Sequence, residues 1–308
     1  MSYIEGLVSV IIPTYKRADK LKRAIDSVLR QTYSNFEILV VNDNEIGDEY
    51  TENLKNLISK ITDSRVYLIM QERHINGAAA RNAGIRASKG EYIAFLDDDD
   101  LWNERKLEHQ VETLLSLDES YGAVSTLFRS FQDNQIISRS LPYKDGYIWE
   151  NILLRNVDVT TCSVLIRHAA LDEAGYFDEN LSRHQEVQLL SYLTHRYKIH
   201  LLKEYLLFVD AWGENNPDSR KLIKCKKDFL KSVKPLIDEL PPRRQRRIVT
   251  MHQFEVAYVF LKEKNYLKAA RYIMPLLKDP VALYYGVLRT INRARGKWNH
   301  GQHYHTSI

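Results

Sequence analysis

The stretch Tyr92–Trp102, YIAFLDDDDLW, joins an apolar run to four consecutive aspartates. Residues 92–96 have the length and composition of a buried β-strand. Adjacent carboxylates repel one another, so four of them at a strand end are costly unless a cation or hydrogen-bond donors hold them. Ligands of open α/β sheets bind beyond the carboxyl ends of the strands, so this stretch predicts a binding site as well as a strand.

The sequence before this stretch alternates strands with helices. The predicted strands are 7–12, 36–41, 66–69 and 92–96, and the predicted helices between them are 18–31, 54–61 and 77–88. This order predicts an α/β fold with a Rossmann-like, mostly parallel central sheet and helices on both faces.

After Trp102 the pattern is mixed α+β. We predict helices over 104–117 and 184–196, strands over 122–128 and 161–166, and extended chain over 199–202 and 205–209. The turn-rich segment 214–219 predicts a boundary, and helices are expected around 220–239, 243–262, 265–278 and 280–294. The chain is therefore divided into a domain over 1–215, with halves 1–102 and 103–215, and a helical C-terminal appendage over 216–308.

Composition narrows the class of protein. No apolar run reaches the roughly 18–20 residues of a membrane-spanning helix, and the N-terminus lacks the layout of a signal peptide. The two cysteines, Cys162 and Cys225, lack metal-ligand spacing. We expect a cytoplasmic protein with reduced thiols.

Charge is distributed unevenly along the chain. From Arg220 onward there are 20 Lys and Arg against 6 Asp and Glu, which leaves 24 against 34 in the preceding residues. A basic tail predicts an anionic partner, here the inner face of the cell membrane. The alternatives are a helical bundle that packs on the first domain and a homodimer; no nucleic acid is expected.

The aspartates have two interpretations. Hard divalent ions such as Mg²⁺ or Mn²⁺ take carboxylate oxygens and keep positions open for phosphates. Alternatively, the run is a solvated acidic turn in which Asp100 caps the following helix. Asp43, after the second strand, could form a turn or accept hydrogen bonds from a base or ribose. Arg81, among small residues, is expected to point at an anion or at the acidic cluster.

The motifs together resemble a known family. VSVIIPTYKR, AIDSVLRQTYSNFEILVVND, NGAAARNAGIRASKGEYIAFLDDDDLW and KLEHQ, over about 1–112, look like the N-terminal half of the family 2 inverting glycosyltransferases, which have the GT-A fold. A weaker resemblance covers about 160–210, where GYFDENLSRHQEVQLLSYL resembles the family's acceptor-side segment.

The resemblance implies a nucleotide-sugar donor, a UDP-sugar above all, a Mn²⁺ or Mg²⁺ ion, and a glycan or lipid-linked acceptor in cell-surface polysaccharide biosynthesis. It places Asp99 on the metal and Glu186 as the base that deprotonates the acceptor hydroxyl. The implied donor-binding residues are Pro13, Thr14, Tyr15, Arg17, Asp43, Arg81, Asp97 and Asp98.

Some residues depart from the family pattern. His184 precedes the segment's Gln-Glu pair and is a rival base, and Asp210 stands where many relatives have a histidine. The processive signature Gln-x-x-Arg-Trp is missing, which favours single additions. A sugar-nucleotide nucleotidyltransferase is an alternative, although PTYKRADK lacks the expected glycines. A catalytically inactive glycan-binding or scaffold protein is another.

Overall fold

The structure is a computed structural model that describes residues 3–133, 135–211 and 218–297. The predicted boundary at 214–219 lies mostly outside these residues. The strands are β1 Ile4–Thr14, β2 Phe36–Asn42, β3 Val66–Met70, β4 Gly90–Phe95, β5 Leu101–Trp102, β6 Tyr121–Gln132, β7 Gln135–Arg139, β8 Val164–Arg167 and β9 Lys198–Asp210. The helices are α1 Ala18–Leu29, α2 Glu49–Ile58, α3 Gly77–Ala87, α4 Lys106–Ser116, α5 Trp149–Leu153, α6 His168–Ala174, α7 Gln185–Arg196, α8 Ser219–Ser232, α9 Lys234–Asp238, α10 Pro242–Lys262, α11 Tyr266–Leu277 and α12 Pro280–Lys297.

One mixed sheet runs through the molecule in the order β3-β2-β1-β4-β8-β6-β9-β5, with β7 paired to β6. Strands β3, β2, β1 and β4 are parallel. Strand β8 then pairs antiparallel with β4 and β6, whereas the long pairing of β6 with β9 is parallel again. The predicted α/β class is confirmed, and the two extended segments near the end of the first domain form the single strand β9.

The side chains of strand β1 contribute to the core on both faces of the sheet. Val8, Val10 and Ile12 belong to a core cluster that includes residues of α1, α2 and α4. Ile11 belongs to the other cluster, which includes residues of α3 and α7. Successive side chains of a strand point to opposite faces, so a strand covered on both sides becomes a continuous apolar run.

Helix α3 packs closely on the sheet because its residues are small. The Asn76 side chain accepts hydrogen bonds from the N–H groups of Ala78 and Ala79, which fixes where the helix begins. A Cβ atom placed on Gly84 would lie 2.4 Å from Ile11 Cγ2. This close approach brings the first turn of α3 to the carboxyl ends of the strands.

The C-terminal helices share a core with the first domain. Phe229, Val233 and Met251 are buried in the cluster that contains Leu153 and Leu190. The helix predicted over 220–239 is divided into α8 and α9, because a proline in the first turn of α9 cannot donate a backbone hydrogen bond. Among the residues that the structure describes, no helix is both long and apolar enough to cross a membrane.

Candidate active site

Three strand ends meet at one edge of the sheet. Thr14 ends β1, Asp43 follows β2, and the aspartates follow β4. The Asp43 N–H donates to the carbonyl of Thr14 at 3.0 Å, and Thr14 Oγ1 donates to Asp98 Oδ2 at 2.8 Å. Pro13 lies beside Val41 in the parallel register. Because β1 is flanked by β2 and β4, their carboxyl ends are adjacent in space.

Polar groups surround the Asp43 carboxylate. Its Oδ1 accepts hydrogen bonds from Gln71 Nε2 at 3.1 Å and from the N–H of Ile75 at 3.2 Å. His74 Nδ1 lies 3.1 Å from Asp43 Oδ2 and 2.8 Å from its carbonyl oxygen, so this nitrogen carries the proton. Burial raises the pKa of Asp43, although these donors act against the shift. Protein donors therefore already hold this carboxylate.

An aromatic pair lies beside Asp43. The Tyr15 and His74 rings are stacked, with centroids 4.1 Å apart and planes 20° from parallel. Both rings are partly exposed and offer a flat surface to a planar ligand. Sequence reasoning missed His74 and Gln71, and their position between β3 and α3, at the same edge of the sheet, was the available signal.

Each aspartate of the run has a different partner. Asp97 Oδ1 accepts from Arg81 Nη2, and Asp99 Oδ2 accepts from Arg17 Nη1 at 2.5 Å. The same Arg17 nitrogen is 3.5 Å from Asp98 Oδ1. Asp100 Oδ1 accepts a hydrogen bond from the N–H of Asp210, the last residue of β9. The four carboxylates are thus divided among different partners.

The predicted capping role of Asp100 is wrong. Residues Leu101–Trp102 form strand β5, which pairs with β9, and helix α4 begins only at Lys106. Asp100 Oδ1 accepts from the N–H of Asp210 at 3.0 Å and so joins the run to the end of β9. The Asp210 side chain pairs with Lys20 at 3.0 Å.

Burial makes the ionised form of these acids costly. It raises the pKa of Asp98 to about 6, an effect to which the neighbouring carboxylates of Asp97 and Asp99 add. Burial also raises the pKa of Asp99, and that of Asp100 well above its usual range. Desolvated acids that repel one another are stabilised by a nearby cation.

The carboxylate oxygens of the aspartate run are ligand atoms that suit a hard divalent ion. Carboxyl oxygens of Asp97 and Asp100 lie within 4.8 Å of each other and of Cys162 Sγ. Burial raises the pKa of the Cys162 thiol well above its usual range, so this sulfur stays protonated and is a poor ligand for Mg²⁺ or Mn²⁺. Oxygen ligands for such an ion would therefore come from the aspartates. Carboxyl oxygens of Asp97 and Asp100 lie close together, whereas Asp99 is paired with Arg17.

A cavity of about 380 Å³ opens beside Asp97. Glu186, in the first turn of α7, lines the same cavity, as does Arg81. Burial lowers the pKa of Arg81, but the carboxylates of Asp97 and Glu186 are among the groups that raise it overall. The remaining lining residues are Phe128, Arg155, Val157, Asp158, Val159, Thr160 and Thr161. A strand-end carboxylate and a helix-borne carboxylate therefore face one space.

His184 is not among the residues that line this cavity. It precedes α7 with a left-handed backbone, φ 66°, and its ring packs edge-on against Phe229 at a centroid distance of 5.4 Å. Burial lowers the pKa of this imidazole well below its usual range. The structure thus brings Glu186 to the cavity and His184 to the contact with the C-terminal helices.

Sequence comparisons match the N-terminal part of the chain. A family model described as Glycosyl transferase family 2 matches residues 9–175. The UDP-Glc:alpha-D-GlcNAc-diphosphoundecaprenol beta-1,3-glucosyltransferase WfgD of Escherichia coli is 32% identical over 171 residues, which are 55% of this chain and 64% of that protein. The chain spans less than two thirds of the length of WfgD and of two uncharacterized glycosyltransferases of Rickettsia felis and Rickettsia conorii.

Solved structures share the fold over nearly the whole chain. TarS 1–349 of S. aureus in complex with UDP-GlcNAc is similar with a TM-score of 0.59 and 17% identity, covering 94% of this chain and 89% of that one. The mannosyltransferase PcManGT of Pyrobaculum calidifontis, in complex with GDP-Man and Mn²⁺, has a TM-score of 0.58 and 16% identity, covering 95% and 81%. At these identities the likeness shows the fold alone.

Proposed function

Because the chain belongs to glycosyl transferase family 2, we propose that it transfers a sugar, with inversion, from a nucleotide-sugar donor to a hydroxyl of a lipid-linked glycan. The observation that carries the proposal is the shared cavity of Asp97 and Glu186. Inversion requires the acceptor oxygen to attack the anomeric carbon from the side opposite the leaving group, with a base beside that oxygen to take its proton. Two carboxylates from separate elements, one at the strand ends and one on α7, suit that division of roles.

The donor is proposed to be a UDP-sugar. The printed name of WfgD specifies UDP-Glc, and TarS was solved with UDP-GlcNAc. In this chain the stacked rings of Tyr15 and His74 would hold the base, next to Asp43. Arg17 is half exposed and adjacent to the aspartates, where its guanidinium could pair with phosphate oxygens.

A divalent ion, Mn²⁺ or Mg²⁺, would be held by carboxylate oxygens of the run: those of the close pair Asp97 and Asp100, and that of Asp99, the ligand that the family resemblance implies. When bound, such an ion stabilises the charge that develops on the leaving diphosphate. Arg81, one turn after the first residue of α3, pairs with Asp97, and Arg17 pairs with Asp99. These two arginines orient the two carboxylates, and the Arg17 cation acts against the rise in the pKa of Asp99.

Glu186 is proposed as the base that accepts the proton of the acceptor hydroxyl. It lies in the first turn of α7 and lines the cavity together with Asp97. His184 is the rival, but its ring is turned toward Phe229 and does not line the cavity.

The test is sugar transfer by purified protein with Mn²⁺, UDP-sugars and a lipid-diphosphate sugar acceptor. We expect Glu186→Gln to lose roughly 10²–10⁴-fold in kcat, the usual contribution of a positioned base, while UDP binding in calorimetry stays unchanged. Asp99→Ala should lose both turnover and metal-dependent UDP binding. Glu52→Gln, an exposed acid on α2, is the matched control.

Wild-type rates in Glu186→Gln would refute its role, and a loss confined to His184→Gln would transfer the role to the imidazole. A protein that binds UDP-sugars but transfers no sugar with any acceptor would be a binding or scaffold protein instead.

The membrane surface is proposed as a further partner, through the C-terminal helices. Helix α11 exposes Leu267, Met274 and Leu277. Lys268 and Arg271 are exposed on the same helix. Apolar side chains flanked by cations suit an anionic leaflet, and peripheral binding would bring the cavity to a lipid-linked acceptor.

A further inference from the structure

Arg155 is an unusual residue of the cavity wall. It follows the short helix α5 and has a left-handed backbone, φ 57°, although it is not glycine. Such a conformation costs free energy in a residue with a Cβ atom and persists where the surrounding structure imposes it. Arg155 lines the cavity together with Glu186 and Asp97. The backbone strain therefore lies at the candidate site.

The guanidinium of Arg155 keeps its hydrogen-bonding capacity. Its side chain is 25% exposed, and its Nε is 3.5 Å from Glu255 Oε1. Within the described ranges this is an ion pair without a hydrogen bond, and the buried Nε has no hydrogen-bond acceptor. A guanidinium has five N–H donors in a planar fork that matches phosphate oxygens. The group is thus held by a charge through Nε, while its two terminal nitrogens have no hydrogen-bond acceptor among the described residues and can donate to a ligand.

Glu255 reaches Arg155 from the C-terminal helix α10 and is fixed by a buried chain of contacts. Its Oε2 pairs with Lys226 of α8. The Lys226 ammonium is 3.0 Å from His252 Nδ1, and His252 Nε2 is 3.0 Å from the carbonyl oxygen of Leu153. Since a carbonyl only accepts, Nε2 carries the proton and Nδ1 accepts from the ammonium. This series of contacts connects α8 and α10 to the end of α5.

We propose that Arg155 binds a phosphate group of the acceptor and that Glu255 positions its guanidinium. This inference rests on the proposed function. It makes the C-terminal helices a part of the acceptor site, because two of them supply the residues that hold Arg155.

The acceptor, rather than the donor, is the source of the phosphate because of where Arg155 lies. Arg155 shares the cavity with Glu186, the residue proposed to contact the acceptor hydroxyl. Tyr15 and Asp43, proposed for the base, and Arg17, proposed for the donor phosphates, do not line this cavity, whereas Arg81 and Asp97 line it from the donor side. In a sugar linked to lipid through a diphosphate, the first phosphate is one sugar ring away from the attacking hydroxyl.

The test compares two probes by calorimetry on full-length protein saturated with UDP and Mn²⁺. One is N-acetylglucosaminyl diphosphate on a short lipid, and the other is an alkyl N-acetylglucosaminide without phosphate. Wild type should prefer the phosphate probe, and Arg155→Gln should lose roughly tenfold to a hundredfold of that preference. Arg155→Lys, which keeps the charge but not the fork, should retain part of it.

Glu255→Gln should weaken the phosphate probe by a smaller factor and leave UDP affinity unchanged. Glu150→Gln is the control, because it breaks the more exposed pair between Arg244 of α10 and Glu150 of α5, which also joins the C-terminal helices to the first domain. We expect no change in preference there.

Equal affinity of wild type for both probes, no binding of either, or an undiminished preference in Arg155→Gln would overturn the inference. A weaker affinity for UDP in Arg155→Gln would do so as well, since it would assign the residue to the donor. A preserved phosphate preference without sugar transfer would instead refute the proposed function and leave the anion site standing.

Discussion

The aspartates show how one residue type takes several roles within four positions. Asp97 lies at the cavity, Asp98 is bonded to Thr14, Asp99 pairs with Arg17, and Asp100 accepts from the chain of β9. Their place at a strand end was predictable from the apolar run before them. Their separate partners were not, because Arg17, Arg81 and β9 come from distant parts of the sequence.

Lys106 illustrates the opposite case, a charged residue that sequence reasoning leaves at the surface. It is fully buried, its Nζ donates to Gln110 Oε1 at 2.6 Å, and it lies 4.1 Å from the ring centroid of Trp102. Burial lowers the pKa of Lys106 to about 7. Burial removes water from the ammonium and so disfavours the charged form unless an anion pairs with it. The neutral amine is therefore favoured in the folded state.

This shift predicts a pH-dependent stability at Lys106. The pKa of Lys106 is lower in the folded protein than in the unfolded chain. The contribution of Lys106 to the free energy of unfolding is therefore most favourable at high pH and is lost as the pH falls toward 7. From pH 9.5 to pH 7, wild type should lose about 3 kcal/mol of unfolding free energy relative to Lys106→Met. Urea denaturation at both pH values measures this difference.

Lys55→Met, at an exposed lysine paired with Glu52, is the control, and its difference from wild type should be similar at both pH values. An equally flat difference for Lys106→Met would show that Lys106 stays charged when the protein folds.

At the scale of the element, helix α3 depends on packing more than on helix propensity. Its small residues allow the helix to pack close to the sheet. Gly84 faces the side chains of Ile11 and Val41. An alanine at a helical glycine position ordinarily adds about 1 kcal/mol of stability. Here the added methyl group would collide with the β1 side chain, so packing decides the sign.

We expect Gly84→Ala to destabilise the protein by roughly 1–3 kcal/mol, the usual cost of overpacking. Gly286→Ala in α12 is the matched control, since its Cβ would meet only the ends of flexible side chains, the nearest being Leu276 Cδ2 at 3.2 Å. That variant should be neutral or up to about 1 kcal/mol more stable. Urea denaturation compares the two, and a stabilising Gly84→Ala would contradict the tight packing of α3 on β1.

At the scale of the whole molecule, charge and exposed apolar surface coincide. The chain from Arg220 onward has 20 Lys and Arg against 6 Asp and Glu. The same region exposes large apolar side chains, of which Leu267 is 89% exposed. Its other face is buried in the core that it shares with the first domain. The molecule therefore has a basic, partly apolar surface on helices fixed to the cavity wall.

This arrangement predicts binding to vesicles that contain anionic lipid, weakened by salt and absent with neutral lipid. Leu267→Ser with Met274→Ser should reduce vesicle binding by at least about tenfold, since each buried apolar side chain contributes about 1.5–3 kcal/mol. Co-sedimentation measures the bound fraction. Leu115→Ser, at a residue 67% exposed on α4, is the control and should bind as wild type does.

Vesicle binding that is unaffected by the double variant would contradict the role of α11. A dimer that dissociates in the same variant, with no vesicle binding in wild type, would assign this surface to a second copy of the chain.

The sequence by itself determined the α/β class, the order of its elements and the edge of the sheet at which Thr14, Asp43 and the aspartates collect. It could do so because apolar periodicity is local and because parallel strands end on the same side of a sheet. It also placed Glu186 at the beginning of a helix, through resemblance.

Only the tertiary structure decided which side chains share a cavity. Glu186 and His184 are two residues apart, yet one faces Asp97 and the other packs on Phe229, because a left-handed turn before α7 separates their directions. Arg155 and Glu255 are a hundred residues apart and carried no signal in the sequence. Contacts of this kind depend on how helices dock on a sheet, and docking is set by packing over the whole chain rather than by any one segment.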